Sequence, residues 1–416
     1  MKINKFILML LAAVTASAIL FQACKKEEEP KELTLSALVS GDIDLNSATS
    51  PTTVPVEPTI VATFSTNIDA QTANASSITL TQDYDQTKIE LDISVSEATI
   101  TIKPKTTLGT GTLYKLSFSD AIQSTEQKTL SGFERSFTTI GTFAPSGVVA
   151  HWNFDGDATD ALGKFNPYND GIVDITYVNS RNENAGKAAS FNGTTSIIEI
   201  PNGDQLINTN DFTISFWVKA ADQGKGHFVM GIGAFFGLQF EMFGGFDGAK
   251  FAIQYEMADG STAAEDMWFP AEATYNETGG WMGWDFAKSI PLDDMISMLK
   301  DKWLQVIYTF DGAMKKGTLY YNGEKMKSFD FNLWPEEDIK RTVVGMKYAG
   351  QMPDVKNDLA FGFIQSRAGS LWSEEPWGGY NFPDANHFKG LLDDVRVFHK
   401  VLTETEIQLM YNSEKP

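Results

Sequence analysis

Residues 388–398 of this chain, Phe-Lys-Gly-Leu-Leu-Asp-Asp-Val-Arg-Val-Phe, constrain what the preceding residues can fold into. Val395 and Val397 alternate with Arg396 and Phe398, the period of a β-strand. A helix signal follows at once. Thr403 stands three residues before Glu406, ahead of Ile407, Leu409 and Met410, in the order of a capping box. A strand placed so late needs a partner from far upstream, and residues 148–155, Val-Val-Ala-His-Trp-Asn-Phe-Asp, supply one. The chain between the two stretches is therefore expected to close into one domain.

At 416 residues there is room for two or three domains. The chain's one cysteine, Cys24, excludes an internal disulfide, so stability must come from burial or metals. Lys2 and Lys5 precede an apolar run over residues 6–20, and Ala23 sits just before Cys24. That is a charged n-region, an apolar h-region and a small residue before a cleavage position, and the run is too short for a comfortable transmembrane helix. The segment resembles a bacterial lipoprotein signal. The resemblance implies a signal peptide over 1–23, lipidation of Cys24, attachment to a membrane through it, and a tether over 24–32. The charged run Lys25-Lys26-Glu27-Glu28-Glu29-Pro30 resembles the surface-export signal of Bacteroidetes lipoproteins, which implies the outer face of the outer membrane. A formal charge of −21 repels nucleic acid and anionic headgroups, so nucleic acid is excluded as a partner and a neutral glycan is easier to bind than a polyanionic one.

Residues 33–143 carry short alternating strands separated by turn residues. Ile60, Ala62 and Phe64 share one face, residues 88–95 alternate without a break, and further strands fall at 99–102, 114–118 and 133–138. Residues 58–65, 114–118 and 137–139 resemble a bacterial immunoglobulin-like domain, a β-sandwich whose expected role is that of a spacer. Gly141, Pro145 and Gly147 punctuate a linker. The second domain is expected over 148–412. Its pieces are residues 152–155, 187–193 leading into 196–201, the alternating run Phe212, Ile214, Phe216, Val218, then 302–308, and 319–324 ending in an Asn-Gly hairpin turn. In this order, with the closing strand and helix, they resemble a laminin-G-like or concanavalin A-like jelly roll. The fold class is therefore all-β, an immunoglobulin-like sandwich followed by a concanavalin A-like one.

Two stretches exceed a compact version of that fold. Residues 220–300 are rich in glycine and aromatic residues and end in a helical pattern, Leu292, Met295, Ile296 and Leu299, after Pro291; residues 347–387 form the second. Both are read as insertions, where binding sites are commonly built. Sugar recognition needs flat apolar rings for the C–H face of a pyranose and amides or carboxylates for its hydroxyls. The second insertion offers Trp372, Trp377 and Tyr380, with Glu374, Asn381 and Asp384 as hydrogen-bonding partners. The first offers Trp281 and Trp284 as a second bank, and also Trp268 and Tyr275, with Glu265, Asp266, Asn276 and Asp285 near them. Glycines between paired rings, as in Trp281-Met282-Gly283-Trp284 and Trp377-Gly378-Gly379-Tyr380, let the backbone swing around them. Trp152, Trp217 and Trp303 lie in strand patterns and read as core.

The laminin-G resemblance further implies a structural calcium ion on Asp155, Asp160 and Asp393, since pairing the first and last strands would bring those acids together. An enzyme is disfavoured. The glucanase order of Glu, apolar, Asp, apolar, apolar, Glu is missing, as is a Gly-x-Ser-x-Gly nucleophile elbow. His151, His227, His387 and His399 have no recurring neighbour that would mark a lyase. The expected function is non-catalytic polysaccharide binding at the cell surface, with an outer-membrane glycan transporter as partner. The alternative is a protein-binding adhesion module and, behind it, a glycoside hydrolase or lyase.

Overall fold

The computed structural model describes residues 31–270 and 283–416, so Cys24 lies outside the described residues. The chain divides into two compact units, one running through Leu108 and including Thr112–Ile140, the other containing Gly109–Gly111 and Gly141–Pro416.

The first unit has strands β1 (Leu35–Ser40), β2 (Ile43–Asp44), β3 (Ile60–Phe64), β4 (Ile78–Gln82), β5 (Lys88–Ile89), β6 (Leu91–Ser96), β7 (Thr99–Pro104), β8 (Leu113–Phe118) and β9 (Phe133–Thr138). They form two antiparallel sheets, β2-β1-β3-β7-β6 and β5-β4-β8-β9. Period-two alternation puts Ile60, Ala62 and Phe64 from one sheet and Tyr114, Leu116 and Phe118 from the other into a shared core. The run over 88–95 is two strands. It changes sheets at Glu90, so that Ile89 pairs with Leu80 while Ile93 pairs with Ile102.

The second unit opens with β10 (Val148–Trp152), β11 (Ile172–Val173), β12 (Thr176–Asn179), β13 (Lys187–Asn192), β14 (Ile197–Ile200), the short helix α1 (Asp204–Ile207) and β15 (Asp211–Ala220). Four strands follow, β16 (His227–Ile232), β17 (Leu238–Met242), β18 (Ala249–Met257) and β19 (Thr262–Phe269). Then come β20 (Phe286–Ala287), α2 (Leu292–Leu299), β21 (Leu304–Asp311), β22 (Lys316–Tyr321), β23 (Glu324–Asp330), β24 (Val343–Met346), β25 (Leu359–Phe361), β26 (Lys389–Phe398) and α3 (Glu404–Glu414). One sheet has the order β12-β13-β26-β15-β21-β22-β23-β20, with β10 also on β26; the other runs β11-β14-β25-β16-β17-β18-β19, with β24 on β18.

The expected long-range pairing is present, with His151 opposite Arg396 and Trp152 opposite Val395. Phe212, Ile214, Phe216 and Val218 face the core between the sheets. Trp217 points the other way, under α3, where its ring stacks on Tyr411 at 6.0 Å and its Nε1 donates to Glu414 at 2.9 Å. The capping box opens α3: Thr403 accepts from the Glu406 amide at 3.2 Å, and the Glu406 carboxylate accepts from the Thr403 amide at 2.9 Å. Helix α2 begins after Pro291, as its spacing predicts.

The stretch 220–300 corrects the sequence reading. It is no appendage, because β16 to β19 make up half of the second sheet. Leu238, Phe240 and Met242 alternate with Gln239 and Glu241, but glycine- and aromatic-rich connections at 233–237 and 243–248 hide that period. Residues 347–387 likewise contribute β25, and the segment after it is pinned to the outer face of the second sheet through Phe363 and Ile364, which pack on Ile197, Phe228 and Ala360.

Candidate functional site

Helix α3 covers the first sheet over Trp217, whereas the second sheet carries a groove of about 430 Å³ on its outer face. Its floor follows from strand register. Core residues alternate with outward ones, so Gln239, Ala252 and Asp266 lie directly opposite one another in a row across β17, β18 and β19. In the next outward row Glu241, Lys250 and Trp268 are likewise opposed. Lys250 reaches both neighbours, Glu241 at 3.4 Å and Asp266 at 3.1 Å, and its ammonium lies 4.9 Å from the centre of the Trp268 ring. Burial pushes the Glu241 carboxyl up, against the pull of Lys250. Burial depresses the Lys250 ammonium, but the two carboxylates outweigh it and the net shift is upward. Glu265 and Lys340 pair on one side of the groove.

The wall is aromatic. Phe235 and Trp372 stand 5.9 Å apart, and both line the groove. Trp372 has φ of 56°, a left-handed backbone unusual for a bulky residue. Gly378 makes room for it, since a Cβ there would come within 2.7 Å of the Trp372 Cβ.

The residues expected to bind glycan are only partly brought together. Trp372 is in the groove. Trp377 lies 5.1 Å from it, ring to ring, and stays 43% exposed, although its edge also packs on Phe228 at 6.3 Å. Tyr380 is half-buried against Phe363 at 5.5 Å, and its hydroxyl donates to the Thr195 carbonyl, so its ring serves the loop's own packing. Glu374, Asn381 and Asp384 are exposed on the same segment and do not line the groove. Trp281, Tyr275 and Asn276 lie outside the described residues. Trp284 packs against the main core and does not join Trp372 at the groove. Sequence reading missed Phe235, Gln239, Lys250 and Lys340. The signal was present in the alternation of β17 and β18, but which outward residues meet is decided by register.

Asp155, Asp160 and Asp393 do not assemble a calcium cage. Asp160 accepts four backbone N–H bonds, from His151, Leu162, Lys164 and Phe165, at 2.9 to 3.1 Å. Burial opposes its charge, yet those four donors hold its carboxyl below the ordinary range. Exposed Asp155 accepts from the Lys187 amide at 2.8 Å. Asp393 is fully buried and accepts from Ser180 and from Arg181, which also binds Asp394. Arg396 joins Asp394 to Glu414, and His151 adds a contact to Asp394 at 2.8 Å. Burial raises Asp393, with the charge of Asp394 adding to it; burial also opposes Asp394, but Arg396, His151 and Arg181 more than offset it. At Asp393 the neighbouring positive charge is that of Arg181. Among the described residues, no group of three or more His, Cys, Asp or Glu side chains is placed to hold an ion.

Residues 43–139 match the family of bacterial Ig-like domains, and residues 192–353 match the concanavalin A-like lectin/glucanases superfamily. The chain is all-β, an Ig-like sandwich followed by a concanavalin A-like one. The groove floor falls inside the second match and Trp372 lies beyond it. No curated protein matches the sequence. Among solved structures, the chain is similar to the binding domain of Paraclostridial Mosquitocidal Protein 1, at 17% identity and a TM-score of 0.40, over 64% of this chain and 52% of that one. A botulinum neurotoxin serotype D ligand binding domain in complex with N-acetylneuraminic acid matches at 12% identity and a TM-score of 0.39, over 64% and 51%. The botulinum neurotoxin type G receptor binding domain matches at 14% and 0.36, over the same shares. The matched region thus spans about half the length of each of these chains.

Proposed function

We propose that this chain captures carbohydrate without cleaving it, in the groove on the outer face of the second sheet. The observation that carries the reading is the Phe235–Trp372 pair standing beside a floor of Gln239, Lys250 and Asp266. Such a pair offers a ring for the C–H face of a pyranose, and the floor offers groups that meet its hydroxyls. Capture without hydrolysis rests on the ion pairs. A glycosidase needs one carboxyl free to give a proton and a second free to attack or to activate water. Here Glu241 and Asp266 are both committed to Lys250, and Glu265 to Lys340. The lipoprotein-like leader supports anchoring through Cys24 at the outer membrane, where the bound glycan would pass to a transporter.

Titration of soluble polysaccharides, followed by intrinsic tryptophan fluorescence, tests the reading. A saturable change with at least one glycan is expected, and Trp372→Ala or Phe235→Ala should weaken it by about tenfold or more. If the folded protein stays silent across the panel, capture of carbohydrate is wrong and the protein-binding module takes its place. Retention of Cys24→Ala in the outer-membrane fraction would refute the anchor.

A further inference from the structure

We infer that the groove selects uncharged sugars and rejects those bearing carboxylates, and that Gln239 is the residue that reads the difference; this rests on the carbohydrate reading above. Two independent observations lead there. The first is the state of the cations. Lys250 is held between Glu241 and Asp266, with only 16% of its side chain exposed, and Lys340 is paired with Glu265. Each lining ammonium is thus already paired with a carboxylate, and no lining cation is left to receive an anion. An incoming uronate or sialate would have to break an existing pair or stand unpaired among groups whose charges already balance, which costs far more in a partly buried site than in water.

The second observation is Gln239. It is 2% exposed, and its amide nitrogen donates to Glu241 at 3.0 Å. That bond fixes the amide's orientation, because the carboxylate can only accept. The carbonyl Oε1 is then left buried at the groove floor, covered by its neighbours and with no hydrogen-bond partner. A buried acceptor without a donor is costly, and a ligand that supplies the donor recovers that cost. A sugar hydroxyl or acetamido N–H supplies one, directly or through a water it holds, once ligand entry parts the side chains that cover the oxygen. A carboxylate supplies none and would set acceptor against acceptor. Ala252 lies between Gln239 and Asp266 in the register row, and its small side chain keeps the middle of the floor low enough for a ring to settle beside Trp372.

The test uses neutral glucan, mannan and galactan oligosaccharides, each paired with its C6-oxidised, carboxylate-bearing counterpart on the same backbone. With the full chain, any backbone that binds in neutral form should bind at least about tenfold more weakly once oxidised. Affinity for the neutral form should change by less than about twofold between low and high salt. Gln239→Leu should weaken the neutral ligand by about tenfold with the far-UV spectrum unchanged. Asp266→Asn, at a partly exposed position, should narrow the gap between the paired ligands. An oxidised ligand that binds as tightly as its neutral partner, or a Gln239→Leu protein that binds both as before, overturns the inference and leaves carbohydrate capture standing. Silence with every ligand overturns both, and is read from the neutral set alone.

Discussion

Trp372 is where strain and contact meet in this protein. Its φ of 56° costs a residue with a Cβ about 1–2 kcal/mol, and the rings of Phe235 and Trp377 pack around it at 5.9 and 5.1 Å. Glycine pays no such penalty. Trp372→Gly should therefore be more stable than Trp372→Ala by about 1 kcal/mol in urea denaturation, the reverse of the usual order of these two residues. If the alanine protein is the more stable, the left-handed backbone is not what the tryptophan holds in place. The ring itself was legible in the sequence, because glycine-spaced aromatics on a polar segment point to surface rings. What its neighbours do was not legible. Tyr380 has the same sequence signature as Trp372, yet its hydroxyl is tied to the Thr195 carbonyl, a contact between residues far apart in the chain.

Helix α3 is held by a buried network of charges and also buries Ile407 and Met410. Arg181, Asp393, Asp394, Arg396 and Glu414 alternate in sign within it, and the Arg181 side chain is only 3% exposed. Removing one partner of such a network leaves the others charged and unsolvated. Arg181→Met is expected to cost about 3–5 kcal/mol, seen as a lower Tm and as loss of the Trp217 environment in near-UV circular dichroism. An unchanged Tm would mean that the helix is held by its apolar face alone. At the scale of elements, the sequence was most readable where a local rule acts. The capping box of Thr403 and Glu406, the hairpin turn at Asn322 and Gly323, and the alternation of β15 were all visible. The strands β16 to β19 were read as an insertion, because rings and glycines on both sides of them blur the period. The groove was hidden for a related reason: Gln239, Ala252 and Asp266 become neighbours only through the register of two hairpins.

Across the whole molecule, acid should act through two buried histidines. His227 and His387 are fully buried, and His227 Nε2 and His387 Nδ1 have no hydrogen-bond partner. Burial pushes both rings down to about 4, against a partial upward pull from Asp222 on His227 and from the Tyr380 carbonyl on His387. The unfolded chain, with ordinary imidazoles, takes up protons first as the pH falls. Stability from these rings is thus fully present above about 6.5, declines between 6.5 and 4, and levels off below, by on the order of 3 kcal/mol for each. Urea midpoints measured from pH 7 to 4 should fall through that window, and His387→Phe should flatten the fall; an equal slope in the variant would assign the loss to carboxylates. The position of β26 has a further consequence, one of timing. Residues 389–398 are an interior strand of their sheet, bridging β10 and β13 on one side to β15 on the other. A chain is made from its first residue onward, so the two parts of this sheet exist as separate open edges until that strand arrives. Until then each edge is a template for pairing with any other chain nearby. Synthesis interrupted before residue 389 therefore yields a sticky, unfinished sheet in place of a shorter working protein.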